Sequence, residues 1–376
     1  MFFAKKVTSK GGFSVFFLDI CHTNDKLPLL KSILKMKKSL MTLGVLALFV
    51  LMAYGQEKKF ALYSVAFYNM ENLFDTIHDE GKNDYEYLPN GTNQWNTMKY
   101  KAKLKNMSEI LSMLSTDKLP MGPAIIGVSE IENYRVLEDI LKQPALADRG
   151  YQYVHYEGAD QRGVDCAFFY NPKLFELTNS KLVPYVYIND TVHKTRGFLI
   201  ASGNIAGEKM HFIVNHWPSR AAASPARERA GEQVRAIKDS LLREDSAAKI
   251  VIMGDMNDDP MDKSMAVALG AKRKPADVGP TDLYNPWWDT LKKGYGTLMY
   301  KGKWNLFDQI VFTGNLLGTD RSTLKFYKHE IFRRDFMFQK EGKYKGYPKR
   351  TQAGGVWLNG YSDHLPTIIY LIKEVK

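Results

Sequence analysis

The sequence predicts an α/β fold in which two mixed, mainly antiparallel β-sheets pack face to face and helices flank them, a four-layer α/β sandwich. Three observations predict it. Apolar runs of strand length recur near residues 60–68, 124–129, 151–156, 164–170, 197–203, 210–215, 249–253, 307–313 and 364–372. Two other segments carry apolar residues at helical spacing: Leu104, Met107, Leu111 and Leu114, then Ala226, Ala230, Val234, Ile237 and Leu241. Neighbouring strands such as 197–203 and 210–215 are joined by a short Gly/Asn turn, which predicts an antiparallel hairpin. Helices alternate with strands early and strands predominate later, a pattern that packed sheets with outer helices accommodate.

Taken in chain order, residues 1–35 read as an upstream extension, set off by Met36 as an alternative start. Residues 36–55 have the layout of a signal peptide. Lys37-Lys38 precede an apolar stretch from Leu40 to Ala53, and Ala53-Tyr54-Gly55 is a small-x-small cleavage site before Gln56. The stretch is short for a membrane span, and the chain turns polar at Gln56-Glu57-Lys58-Lys59. The alternative is an uncleaved anchor; no Cys stands near the cleavage point to carry a lipid. The expected protein is therefore exported, periplasmic or secreted, with no membrane span after cleavage. Residues 56–376 contain no linker-like tract and are expected to form one large domain, with nothing implying a stable protein partner. A monomer is the simplest expectation.

Of two cysteines, only Cys166 lies beyond the leader, so no intramolecular disulfide is available there. Its place inside an apolar run predicts a buried strand thiol rather than a nucleophile. The formal charge of +11 falls to +5 once residues 1–55, with eight Lys and two Asp, are set aside. That balance alone does not indicate nucleic acid. Residues 325–350 do concentrate nine Lys/Arg against three Asp/Glu, interleaved with Tyr327, Phe332, Phe336, Phe338, Tyr344 and Tyr347. Such a segment suits a phosphate backbone, or equally a solvated hairpin with its aromatics packed underneath.

The second helical segment has a start signal, Ser224 as N-cap with Pro225 in the first turn. More informative are the strand ends. Asn69 and Glu71 follow the first run, Glu130 the second and His216 a later one. Asp255 and Asn257 close IVIMG, Asp308 sits beside IVF, and Asp363-His364 open the final run. Ligands of open α/β sheets bind outside strand ends. Carboxylates, amides and imidazoles gathered there suit a hard divalent cation and a phosphate. Mg²⁺ takes oxygen ligands and keeps several waters, so Glu130 is the leading ligand candidate, with Asn69 and Asp308 supplying further oxygens. In-line displacement at phosphorus also needs an oriented water, a role for Asp255. Asn257, His216 and His364 suit hydrogen bonds to the phosphate, and Asp363 suits holding a neighbouring imidazole protonated.

In order and spacing these motifs resemble the endonuclease/exonuclease/phosphatase family, whose fold is that of deoxyribonuclease I, from about Leu62 to Ile372. Tyr68-Asn69 resembles the family's aromatic-Asn motif and Ser129-Glu130 the motif ending in its metal-binding Glu. Arg162-Gly163-Val164-Asp165 resembles a stretch beside the substrate cleft, implicating Arg162 and Asp165 in substrate binding. Asn215-His216 stands where the family has Thr-His-Leu, and the resemblance implies that His216 contacts phosphate. Gly254-Asp255-Met256-Asn257 resembles Gly-Asp-Phe-Asn, implying that Asp255 handles the attacking water and Asn257 the phosphate. Asp308-Gln309-Ile310 resembles Asp-x-Ile near the metal, and Ser362-Asp363-His364 the terminal Ser-Asp-His with its paired Asp and catalytic His. Trp217 departs from the family Leu, and Met256 from its Phe. Arg220 of the following Pro-Ser-Arg would add a phosphate contact, as in secreted bacterial members, which Gly296 to Trp304 also resembles. Glu71 has two readings, a supporting ligand or a rim residue.

The resemblance implies Mg²⁺, with Mn²⁺ or Ca²⁺ as alternatives, and a nuclease hydrolysing DNA or RNA. A phosphatase or phospholipase acting on a phosphorylated lipid, sugar or inositol is the alternative, because one scaffold hosts both. A non-catalytic binding protein is the third reading. Retention of Glu130, Asp255 and His364 argues against it.

Overall fold

The computed structural model describes residues 27–53, 58–188 and 192–375. The chain divides into two units, 1–58 and 59–376. In the first, a helix α1 (Leu27–Ala53) includes the apolar stretch expected for export. Residues 1–26 of the upstream extension and Tyr54-Gly55 of the expected cleavage site lie outside the described residues. Among the described residues no helix is long and apolar enough to cross a membrane.

The second unit begins with β1 (Lys59–Leu73), α2 (Thr97–Met113), β2 (Ile125–Ile131) and α3 (Tyr134–Leu141). There follow β3 (Gln152–His155), β4 (Asp165–Tyr170), β5 (Glu176–Val183), β6 (Phe198–Ile205) and β7 (Glu208–His216). Next come α4 (Ser224–Glu244), β8 (Lys249–Asp255), β9 (Ala271–Lys272), β10 (Leu283–Tyr284) and α5 (Trp288–Lys292). The chain ends with β11 (Leu298–Tyr300), β12 (Lys303–Asn305), β13 (Asp308–Thr313), β14 (Lys325–Ile331), β15 (Gln352–Ala353), β16 (Val356–Trp357) and β17 (Thr367–Val375).

One sheet has six strands in the order β14-β17-β1-β2-β4-β3, the other seven in the order β5-β6-β7-β8-β13-β10-β9. The pairs β1/β2, β7/β8 and β9/β10 are parallel and the rest antiparallel, as the alternation of elements predicts. Because successive strand residues point to opposite faces, each central strand serves two cores. From β1, Val65 and Phe67 pack between the sheets with Phe168, Phe212, Met253 and Ile369. Ala66 and Tyr68 face the other way, under Leu104 and Met107 of α2 and Val136 and Ile140 of α3. On the far side, Ile213, Ile250 and Ile252 lie beneath Ala230, Val234 and Leu241 of α4. Burial on both faces explains why these strands read as unbroken apolar runs.

The hairpin at β6–β7 turns through Ala206-Gly207, both at positive φ, as a two-residue turn of matching twist requires. α4 starts one residue earlier than its cap signal suggests. Ala223 is the N-cap, and Ser224, already helical, donates to Glu228 at 3.0 Å. Cys166 is buried and free, and burial pushes its thiol well above the usual range. β5 and β14 lack a clean apolar run and were illegible in the sequence; both are sheet edges with largely polar or half-exposed residues.

Candidate active site

The ends of β1, β2, β7 and β8 and the starts of β13 and β17 meet at one rim. β1 and β17 are antiparallel with Phe67 opposite Thr367, which brings the start of β17 to the end of β1. β8 and β13 are antiparallel with Asp255 opposite Asp308. β7 and β8 are parallel with His216 opposite Asp255. Residues from six separate segments thereby converge.

Asn69 lies at the centre. Its Nδ2 donates to Asp255 Oδ2 at 3.0 Å and to Glu130 Oε1 at 3.3 Å, while its Oδ1 accepts from the Glu71 amide at 2.8 Å. In this orientation the amide ties two carboxylates together through its NH₂, and its oxygen is engaged by the backbone. Glu130 Oε2 accepts from the Asn72 amide at 3.0 Å, and His216 Nε2 stands 3.6 Å from Glu130 Oε1 and 3.7 Å from Asp255 Oδ2. Asp255 Oδ1 accepts from the Asn257 amide at 2.9 Å, leaving Oδ2 to Asn69, with the Nε2 atoms of His216 and His364 at 3.7 and 3.9 Å. Asn257 Nδ2 donates to the Trp217 carbonyl at 3.0 Å.

Backbone strain is concentrated here. Glu71, Asn72, Glu130 and Asn257 have φ of 46°, 53°, 58° and 52°. This left-handed region costs a non-glycine residue about 1–3 kcal/mol. At β1 and β2 the ladder skips between Asn69 and Leu73, a bulge that re-aims the side chains at the strand ends.

The two histidines are driven apart. For His364, burial opposes charge, yet Asp308, Asp363 and Asp255 outweigh it and hold the imidazole pKa well above its usual value. For His216, burial together with Arg196, Arg162 and His364 holds it well below. His364 is thus an imidazolium and His216 neutral, the divergence expected where acid and base roles are split. Burial, with repulsion from Asp308 and Glu130 and against the pull of His364, raises the Asp255 carboxyl to about 7.

Sequence reasoning gave Asp363 the task of fixing an imidazole. The structure gives the hydrogen bond to Asp308, whose Oδ2 lies 2.7 Å from His364 Nδ1; Asp363 Oδ1 is 3.9 Å from Nε2. Adjacent residues of an extended segment diverge in direction, so Asp363 points outward and pairs with Arg350 at 3.0 Å. Arg350 also binds Glu71 at 2.6 Å, and Glu71 accepts from the Thr351 amide at 2.7 Å. Glu71 therefore anchors the 350 segment to the site. Below it, buried Lys103 donates to Thr351 Oγ1 and to the Tyr361 carbonyl.

Arg162 stands at the rim, its Nη2 2.7 Å from Asn72 Oδ1. Asp165 is turned away into the loop before β4, accepting from the Gly158 amide at 3.0 Å, and so shapes the cleft wall rather than lining it. Arg220 is held by Asp258, Asp259 and Asp262 at 3.3, 3.3 and 2.8 Å and stacks 4.4 Å over Phe307. Those carboxylates occupy it as a positioning group for the Asn257 loop. Arg196 escaped notice altogether. It is buried, binding Asp160 at 2.9 Å and the Trp217 carbonyl at 3.0 Å, and its sequence context carries no signal.

The residues fit a hard cation. Donor atoms of Glu130, His216 and Asp255, and of Asp255, Asp308 and His364, form two groups, each within 4.8 Å and sharing Asp255. Buried Asp308 Oδ1 has no hydrogen-bond partner. Three carboxylates facing a single imidazolium leave negative charge that a divalent ion would offset.

Gly254, before Asp255, has a steric rationale. A Cβ there would fall 2.3 Å from the Asn215 carbonyl and 2.7 Å from Asn215 Cβ on neighbouring β7. Gly254→Ala is expected to cost about 2 kcal/mol by overpacking, a fall of roughly 4–8 °C in melting temperature by calorimetry. An unchanged melting temperature would show that the strands part there without cost.

A family profile described as the Endonuclease/Exonuclease/phosphatase family matches residues 64–373. Among curated proteins no significant sequence match is found. Solved structures share the fold at low identity. A Bacteroides thetaiotaomicron protein of that family is 14% identical with a TM-score of 0.52, covering 85% of this chain and 98% of its own. The mannosyl-6-phosphatase of the same organism is 14% identical with a TM-score of 0.51, covering 82% and 99%. TDP2 from C. elegans is 14% identical with a TM-score of 0.50, covering 85% and 78%.

Proposed function

Since the chain belongs to the endonuclease/exonuclease/phosphatase family, we propose that it is a divalent-metal-dependent phosphodiesterase, and specifically a nuclease cleaving DNA or RNA. The observation carrying this reading is buried Asp255 Oδ2, 3.0 Å from Asn69 Nδ2 and 3.7 and 3.9 Å from the Nε2 atoms of His216 and His364. Asp255 orients the attacking water and takes its proton, a task matched to a carboxyl raised toward neutrality. Imidazolium His364, held by Asp308, donates hydrogen bonds to the non-bridging oxygens where charge develops. Neutral His216 and the amide of Asn257 position the phosphate. A Mg²⁺ ion, with Mn²⁺ or Ca²⁺ as substitutes, would be held by Glu130 with Asn69 and Asp308 nearby, and supplies charge neutralisation at the phosphate. Export and removal of residues 36–55 belong to the same proposal and rest on Lys37-Lys38 and the apolar stretch Leu40–Ala53; action as a monomer is its simplest form.

A second reading, a phosphatase on a phosphorylated sugar, inositol or lipid, is favoured by one observation. Beside Arg350 opens a cleft of about 410 Å³ lined by Glu71, Glu86, Asn93, Tyr344 and Gln352. Its amides, ring and carboxylates suit an uncharged hydroxylated group better than a further phosphate. Digestion of plasmid and of RNA with Mg²⁺ or EDTA, beside sugar monophosphates, separates the readings. The nuclease predicts polynucleotide cleavage that vanishes with EDTA and in His364→Ala. Turnover confined to monoesters would establish the phosphatase instead.

A further inference from the structure

The basic segment 325–350 resolves into distinct parts. Its edge strand β14 and the buried side chain of Phe332 belong to the fold. Lys349 Nζ donates to the Asn359 carbonyl, and Arg350 is committed to Glu71 and Asp363. Arg333, Arg334, Lys340 and Lys345, with Phe338 and a lone acid, Asp335, line a second cavity of about 380 Å³.

This cavity is built rather than incidental. Arg333 is clamped by three rings, its guanidinium 5.0 Å from Trp304, 5.0 Å from Phe338 and 5.7 Å from Tyr295, and its Nη1 is buried without a hydrogen-bond partner. Arg334 is neutralised by Asp117 at 2.7 Å. Lys340 and Lys345 are exposed, and among the described residues no carboxylate pairs with either. Counting Asp335 against Arg333, Lys340 and Lys345 leaves the cavity with a surplus of positive charge.

Its position relates it to the catalytic centre. Trp304, beneath Arg333, belongs to β12, which pairs with β11, and Leu298 of β11 bridges to His364. The Tyr347 hydroxyl accepts from the Gly302 amide at the tip of that hairpin. One hairpin thus separates the cavity from the imidazolium. In the same loop, Tyr344 lines the cleft beside Arg350 while Lys345 lines the basic cavity.

We propose that the cavity around Arg333, Lys340 and Lys345 is a second phosphate-binding site, holding a backbone phosphate of a polyanionic substrate whose scissile ester lies at His364. The inference rests on the phosphodiesterase reading. A site remote from the reacting phosphate adds affinity for long substrates and nothing for short ones. Its charges act through counterion release, so they also set part of the salt dependence.

The test is the double variant Lys340→Glu/Lys345→Glu in the full chain, both residues being exposed and outside the catalytic centre. Binding of a fluorescent dT12 oligonucleotide is titrated against salt in a His364→Ala background, with inorganic phosphate as competitor. Turnover of bis(p-nitrophenyl) phosphate is measured with His364 intact. The site predicts at least about tenfold weaker dT12 binding and a salt slope reduced by about 0.7, the worth of one phosphate contact on a single strand. Turnover of the small diester should stay within twofold. Inorganic phosphate should fail to displace dT12 at matched phosphate concentration if backbone, not the free anion, is the ligand; displacement overturns the substrate assignment. Unchanged dT12 affinity and slope overturn the site. If the native protein cleaves no polynucleotide but the double variant still loses dT12 binding, the site stands and only the nuclease reading falls.

Discussion

Asp255→Asn is expected to lower kcat/KM by about 10²- to 10⁴-fold, the usual worth of a positioned general base. The substitution keeps an oxygen for the Asn257 amide, at 2.9 Å, and removes the charge that Oδ2 presents to Asn69, His216 and His364. The pH profile provides an independent readout. Activity of the native enzyme should fall as pH drops below about 7, because only ionised Asp255 accepts the proton, and the variant's residual activity should lose that limb. Stability should move the other way. A carboxyl raised in the folded state contributes stability that is present below the unfolded value and lost as pH rises through about 7. In EDTA, the melting temperature of Asp255→Asn relative to the native protein should therefore be more favourable at pH 8 than at pH 5. A large loss of stability at both pH values would make Asp255 structural.

Removal of divalent cation is the second large effect. EDTA should abolish turnover, and Glu130→Gln should raise the Mg²⁺ needed for half-maximal activity by more than about 100-fold, since second-shell changes alone cost 10–100-fold. Binding can be read without catalysis. Mg²⁺ at about 100 times its dissociation constant stabilises the folded state by about 2.7 kcal/mol, visible as a raised melting temperature. Glu130→Gln should lose that rise. If it retains native Mg²⁺ dependence in both assays, the ion sits instead between Asp255 and Asp308, whose donor atoms form the neighbouring group.

The sheets and most of the rim were legible because strand periodicity is a local property. Runs such as Ile250 to Met253 are buried on both faces, so their apolar composition marks them wherever they lie. The polar residue closing each run is local too, which is why Asn69, Glu130, His216, Asp255, Asp308 and His364 were readable and do meet in space. Edge strands β5 and β14 bury little and left no such mark.

Which polar group binds which is decided by contacts between segments that only folding brings together, from 13 to 280 positions apart in sequence, and no spacing encodes them. Asp308 rather than Asp363 holds His364 because antiparallel pairing sets Asp308 opposite Asp255 while chain alternation turns Asp363 outward to Arg350. Glu71 became an anchor only when Arg350 and Thr351 arrived 279 and 280 positions later. The basic segment read as one patch, yet folding divided its charges between Glu71, Asp117 and an open cavity. Burial periodicity belongs to each segment by itself; charge pairing is a property of the assembled fold.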